Sequence, residues 1–191
     1  MNWEQIEAEV APGQRLASGT ATRDPMFNEE IIKDGVKGKG TIFLQASEFK
    51  EQGLDLDTYF GECGYFSGTL NLLIAPRTWK LGRNGFEHVL RNVRWTDKLD
   101  ETGKPPFTET FMLSPCDLEF NDIRYKGMIY IPDPNTKPGK HAPLAPYIDI
   151  IAPSIPGIGY GSKVTFFYNP AAIQVARAEL TSPHTPEPPT I

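Results

Sequence analysis

The chain has 191 residues, 39% of them hydrophobic, 23% charged and 11% aromatic. That sets an expectation of one domain with a sizeable core and excludes a globally disordered polypeptide. Nineteen basic against 24 acidic residues leave a formal net charge of −5, which argues against a general nucleic-acid binder. The 17 glycines and 18 prolines imply many turns and argue against a helical bundle, a coiled coil or a helical solenoid.

In chain order, Trp3, Ile6 and Val10 at helical spacing predict a short helix over residues 2–10, stopped by Pro12-Gly13. Residues 11–38 read as a polar, irregular arm. Thr41-Ile42-Phe43-Leu44 predicts a strand, and Ala46 to Gly53 a helical turn capped by Ser47 and stopped by Gly53. Further strands are expected at 69–74, 86–94, 108–113, 147–152 and 163–168. Residues 116–120 and 123–131 predict a hairpin across Asn121-Asp122. Pro134 to Pro146 predicts a surface loop. Residues 171–180, with Ile173, Ala176 and Leu180 on one side, predict a C-terminal helix before a proline-rich, disordered tail.

Seven or eight short strands without βαβ alternation predict an all-β fold, a barrel or sandwich with a few short helices. The expected organisation is an N-terminal helix and arm (1–37), a β-barrel domain (38–170) and a C-terminal helix and tail (171–191). Leu70, Leu72, Ile150 and Val164 are expected in its core. Cys63 and Cys116 are far apart, lack zinc-ligand spacing and read as reduced core thiols. The acidic segment Met1 to Glu9 resembles neither a signal nor a transit peptide, and no run approaches ~18 apolar residues. A soluble cytoplasmic protein without a membrane or nucleic-acid partner is expected.

No P-loop, GxGxxG, HExxH or GxSxG signature is present. Three segments stand out instead. Gly35-Val36-Lys37-Gly38-Lys39-Gly40-Thr41 joins glycine amides to two ammonium groups, which suits either an anionic ligand or a solvated turn. In Gly68-Thr69-Leu70-Asn71-Leu72, strand alternation places Thr69 and Asn71 on one face. Their neutral oxygens suit a hard cation sharing phosphate oxygens and waters, or simply line a solvent face. Asp149 is a lone acid in the apolar run Tyr147 to Ala152, where Asp is disfavoured, and either faces solvent or lines a polar pocket.

Together these segments resemble the CTP-dependent riboflavin kinases, best known from archaea. The likeness spans roughly residues 36–168 and rests on four motifs in the family's order. They are the Gly38-Lys39-Gly40 turn, Gly68-Thr69-Leu70-Asn71, the hairpin from Phe120 through Gly127 to Pro132, and Asp149-Ile150-Ile151-Ala152-Pro153. Asp149 stands where the family carries Glu, and Asp122 where the hairpin motif has its first Gly. The resemblance implies a six-stranded cradle-loop β-barrel and Mg²⁺-assisted transfer of the CTP γ-phosphate to riboflavin, giving FMN and CDP. It implies Thr69 and Asn71 as Mg²⁺ ligands, and Gly38, Lys39, Gly40, Gly68 and His141 as ligand-binding residues. Asp149, the catalytic candidate, could accept hydrogen bonds from a ligand's hydroxyl or ring N–H groups or serve as general base to the attacking hydroxyl, with ligand positioning the favoured role, and Tyr65, Phe66 and Tyr147 are candidates for the isoalloxazine slot. The other reading of the same sequence is a non-catalytic barrel that binds a nucleotide or flavin, or serves assembly.

Overall fold

The structure is a computed structural model that describes residues 2–12, 41–94, 101–103, 108–136 and 146–177. It is mostly β-sheet with few short helices. Nine strands occur among the described residues: β1 Glu4–Ala11, β2 Leu70–Leu73, β3 Arg77–Leu81, β4 His88–Arg94, β5 Thr108–Phe120, β6 Ile123–Pro132, β7 Tyr147–Ile151, β8 Lys163–Tyr168 and β9 Ile173–Arg177. The helices are α1 Thr41–Glu51 and α2 Leu56–Phe60, followed by a 3₁₀ turn at Gly61–Cys63.

Seven strands form one antiparallel sheet in the order β4-β5-β6-β7-β2-β1-β8. β5 also pairs with β8 from Cys116↔Tyr168 to Glu119↔Thr165, so six of the strands ring round and β4 hangs on the outside. β5 can serve both neighbours because it is 13 residues long. The expected strands at 108–113 and 116–120 are one continuous element. β3 and β9 form a separate two-stranded sheet.

The sheet has two apolar faces. Inside the ring, Ile6, Ala8, Val10, Leu70, Leu72, Ile148, Ile150, Val164 and Phe166 form the first core. The expected core residues Leu70, Leu72, Ile150 and Val164 all lie in it. Outside, Leu90, Val93, Phe111, Leu113, Met128, Tyr130 and Ile151 meet Ile42, Phe49, Leu54, Leu56 and Phe60 of the helical segment. Strand alternation explains both: even positions of β5 (Cys116, Leu118) point inward and odd positions (Phe111, Leu113) outward.

Three expected elements are corrected. Residues 2–10 are not a helix: Ile6, Ala8 and Val10 alternate with exposed Gln5 and Glu7, and this period of two makes β1 a ring strand. It pairs with β2 and with β8, so the ring depends on residues before 38. Residues 41–44 are not a strand but the first turn of α1, because Ile42, Gln45 and Phe49 are buried at helical spacing. Ser47 is therefore mid-helix rather than a cap. The expected stop at Gly53 holds: its φ is 93°, its N–H donates to Lys50 O and that of Leu54 to Phe49 O. Residues 173–177 are strand β9 rather than helix. Residues 137–145 and 178–191, with most of the expected loop and the tail, lie outside the described residues.

Candidate functional site

β2 lies between β1 and β7, and its register places Asn71 opposite Asp149 on one side and Ala11 on the other. Two residues singled out in separate sequence motifs are thus direct cross-strand neighbours. Both are half-buried on the outer face, because Leu70, Leu72, Ile148 and Ile150 fill the ring. Asn71 Nδ2 donates to the backbone oxygen of Thr69 at 3.3 Å, which ties the amide back to the start of β2.

The row continues into β6. Ile129↔Ile150 and Met128↔Ile151 fix the β6–β7 register, so Tyr130 follows opposite Asp149, and Tyr130 pairs with Leu113 of β5. The phenol donates to Gln45 Oε1 at 2.9 Å, and Gln45 Nε2 donates to Arg94 O at 3.1 Å. Burial pushes the Tyr130 phenol well above its ordinary value, and the carboxylates of Asp149 and Glu109 add to the rise; the Gln45 hydrogen bond opposes it. α1 reaches this row because its first turn is anchored beside β2: Ile42 N and Phe43 N both donate to Ser67 O, at 3.0 and 3.2 Å.

Thr69, Asn71 and Asp149 are therefore brought together, with Gly68 adjoining them. Gly68 packs under Phe66, whose ring would lie 3.2 Å from a Cβ at that position. Gly38, Lys39, Gly40 and His141 lie outside the described residues. The segment that follows Gly40 is a helix, so the glycine-rich stretch does not lead into a strand as expected. Tyr65 packs on the outer core, while Tyr147 pairs with Leu73 two residues along from the Asn71–Asp149 pair. Gln45 and Glu109 lie in none of the motifs, and Tyr130, although inside the hairpin motif, was not singled out there. The available clue was parity, since Glu109 shares its face of β5 with Phe111 and Leu113.

A hard cation fits the donor set: Thr69 Oγ1, Asn71 Oδ1 and the Asp149 carboxylate are oxygens of the kind Mg²⁺ takes alongside phosphate and water. Among the described residues no group of three or more His, Cys, Asp or Glu could hold a metal ion, so a cation here would need oxygens from its ligand. Two clefts lie elsewhere. One of about 320 Å³ is lined by Glu48, Glu51, Gln52, Asn92, Arg94 and Thr108. The other, of about 240 Å³, is lined by Glu7, Ile74, Ala75, Pro76 and Arg77. Cys116 is buried inside the ring, where burial pushes its thiol well above the ordinary value, and Cys63 is exposed. Among the described residues no helix is long and apolar enough to cross a membrane. No family model and no curated protein matches the sequence.

Proposed function

We propose that the chain is a metal-assisted phosphotransferase built on a small six-stranded β-barrel. More particularly, we infer a CTP-dependent riboflavin kinase, in which the ribityl 5′-hydroxyl attacks the γ-phosphorus, the bond to the β-phosphate oxygen breaks, the hydroxyl proton is released to solvent, and FMN and CDP leave. The observation that carries this reading is the register pair Asn71↔Asp149 with Thr69 two residues before Asn71. It sets neutral oxygen ligands beside a single carboxylate at one point of the sheet. Thr69 and Asn71 would hold Mg²⁺, which neutralises phosphate charge. Asp149 accepts a hydrogen bond from the attacking hydroxyl and so orients it. Phosphoryl transfer gains mainly from such alignment and neutralisation, which lets a site without a P-loop serve. Lys37, Lys39 and the Gly38–Gly40 amides supply donors for the nucleotide in this reading. The expected partners are CTP and riboflavin, with FMN as product.

A non-catalytic binding role is the second reading. It is favoured by Ile42 N and Phe43 N, which spend their hydrogens on Ser67 O rather than facing a ligand. One assay separates the two. The protein is incubated with riboflavin, Mg²⁺ and each nucleoside triphosphate in turn, and FMN is read by chromatography. FMN formed with CTP above all other triphosphates is the expected result. Riboflavin binding without FMN from any triphosphate selects the second reading.

A further inference from the structure

The cleft of about 240 Å³ is lined by two opposite charges, Glu7 of β1 and Arg77 of β3, and by Ile74, Ala75 and Pro76. Among the described residues no ion pair joins the two charges. Two arginines there are half-buried, Arg77 and Arg94. Arg94 has the Glu48 carboxylate as its partner, whereas the Arg77 side chain makes no ion pair and no hydrogen bond among the described residues. Its backbone is held by the turn, since Arg77 N donates to Ile74 O at 3.0 Å. The facing strand brings no acid, because the β3–β9 register sets Arg177 directly across from Arg77, and like charges so placed are unfavourable. Glu4 is engaged elsewhere, accepting the Tyr168 hydroxyl at 2.8 Å.

On β1 the contrast repeats. Glu9 faces Lys163 of β8 and forms an ion pair with it. Glu7 faces Thr165, whose hydroxyl donates to Glu7 Oε1 at 3.2 Å. A neutral hydroxyl leaves the charge of Glu7 unmatched.

These charges select the ligand. A simple anion on Arg77 would be repelled by Glu7, and a simple cation on Glu7 by Arg77. A small molecule carrying both a carboxylate and an ammonium group answers both, the carboxylate taking the two-pronged hydrogen bonds that a guanidinium offers. Size narrows the choice further. Pockets for drug-sized ligands and cofactors run to about 300–1,000 Å³, so a nucleotide or a flavin is too large for this cleft. The apolar surface of Ile74, Ala75 and Pro76 suits an aliphatic group.

We propose that this cleft is a binding site for an aliphatic α-amino acid, with the carboxylate on Arg77, the ammonium group on Glu7 and the side chain against Ala75 and Pro76. The cleft follows the end of β2, whereas Thr69 precedes its start. The site therefore stands whether or not the phosphotransferase reading does.

The test titrates L-leucine, leucinamide and N-acetyl-leucine at neutral pH into the isotope-labelled whole chain and follows the backbone amides by NMR. Leucine is expected to shift the amides of Glu7, Ala75 and Arg77 saturably. Leucinamide, which lacks the carboxylate, and N-acetyl-leucine, which lacks the ammonium group, are each expected to bind about tenfold or more weakly, as the loss of a charge-assisted hydrogen bond implies. Arg77→Gln should remove the preference for leucine over leucinamide, and Glu7→Gln the preference over N-acetyl-leucine. Equal affinity of the wild type for all three compounds, leucine shifts that bypass Glu7, Ala75 and Arg77, or no saturable shift with leucine would each overturn the assignment. The wild-type titrations decide the matter even if a variant fails to fold. The riboflavin assay is untouched by any of these results.

Discussion

Position 127 is a tight point of the ring. A Cβ there would lie 3.0 Å from Cys116 Sγ and 3.1 Å from Ile150 Cγ2, while the Gly127 carbonyl accepts the Tyr59 hydroxyl at 3.0 Å. That bond holds β6 from outside and opposes a shift away from Cys116. Gly127→Ala is expected to cost about 1–3 kcal/mol through overpacking, measured by urea denaturation, and Cys116→Ala in the same chain to recover part of it. A neutral Gly127→Ala would show that β6 can move. Asn71 is a different case. Its side chain makes one long bond to its own strand, so Asn71→Leu should leave the ligand-free thermal midpoint within a few degrees. The same variant should abolish Mg²⁺-dependent CTP binding by calorimetry. A large loss of stability would make Asn71 structural. Thr69, Asn71 and Asp149 were legible one at a time, since each is a residue type that is unusual where it stands. Their meeting was not legible, because the register between β2 and β7 is set across about 80 residues of intervening chain that leave no local trace.

At the scale of elements, α1 does more than cover the outer core. Among the described residues β4 pairs with β5 alone, and its other edge meets no strand there. Side chains of α1 and the turn after it fill that edge in place of a strand. Arg91 N donates to Gln52 Oε1 at 2.7 Å and Gln52 Nε2 returns a bond to Arg91 O at 2.9 Å. Gln45 Nε2 donates to Arg94 O, and Glu48 accepts from Arg94 N. Asn92, with φ 55°, sits at the irregularity between these two contacts. Unpaired edges invite pairing with other chains. Gln52→Leu is therefore expected to lower stability by about 1–2 kcal/mol and to cause concentration-dependent association in light scattering. Monodisperse behaviour at wild-type stability would refute the edge-capping role. The β5–β6 hairpin was readable in sequence because Asn121 and Asp122 both accept positive φ, 51° and 60°, between alternating strands. β1 and β9 were misread because each carries apolar residues at spacings that satisfy both periods over so few residues. α1 was misread because its β-branched and aromatic start outweighed the spacing of Ile42, Gln45 and Phe49.

At the scale of the whole molecule, the fold keeps several weak acids protonated. Burial is the first cause of the upward shift of Tyr59, Tyr130, Tyr168 and Cys116. The ordinary values are 10.0 for the tyrosines and 9.0 for the thiol. Above these values the unfolded chain releases protons that the folded chain retains. The unfolded state then binds fewer protons, so stability is complete below about pH 9 and falls as pH rises further. Each retained proton contributes a slope of about 1.4 kcal/mol per pH unit. Urea midpoints should be level from the neutral range to about pH 9 and drop steeply beyond it, less steeply in Tyr130→Phe. A profile flat to pH 11 would contradict the burial of these groups. The fold class was legible from short strands and the absence of βαβ alternation. That β1 belongs to the ring was not, because it enters through pairings with β2 and β8, contacts that composition and periodicity cannot express.

That closure has a consequence for biosynthesis. Glu7 and Thr165, bonded across β1 and β8, are 158 residues apart in sequence. At about 5–20 residues per second on the ribosome, β1 waits roughly 10–30 s for the strand that completes it. Through that interval Ile6, Ala8 and Val10 have no ring to enter, and one edge of β1 lacks its partner. Loop-closure entropy over so long a separation makes the final step slow as well. The nascent chain thus carries an apolar strand without its partner through that interval, and rapid overexpression should send more of it to inclusion bodies than slow expression at low temperature does.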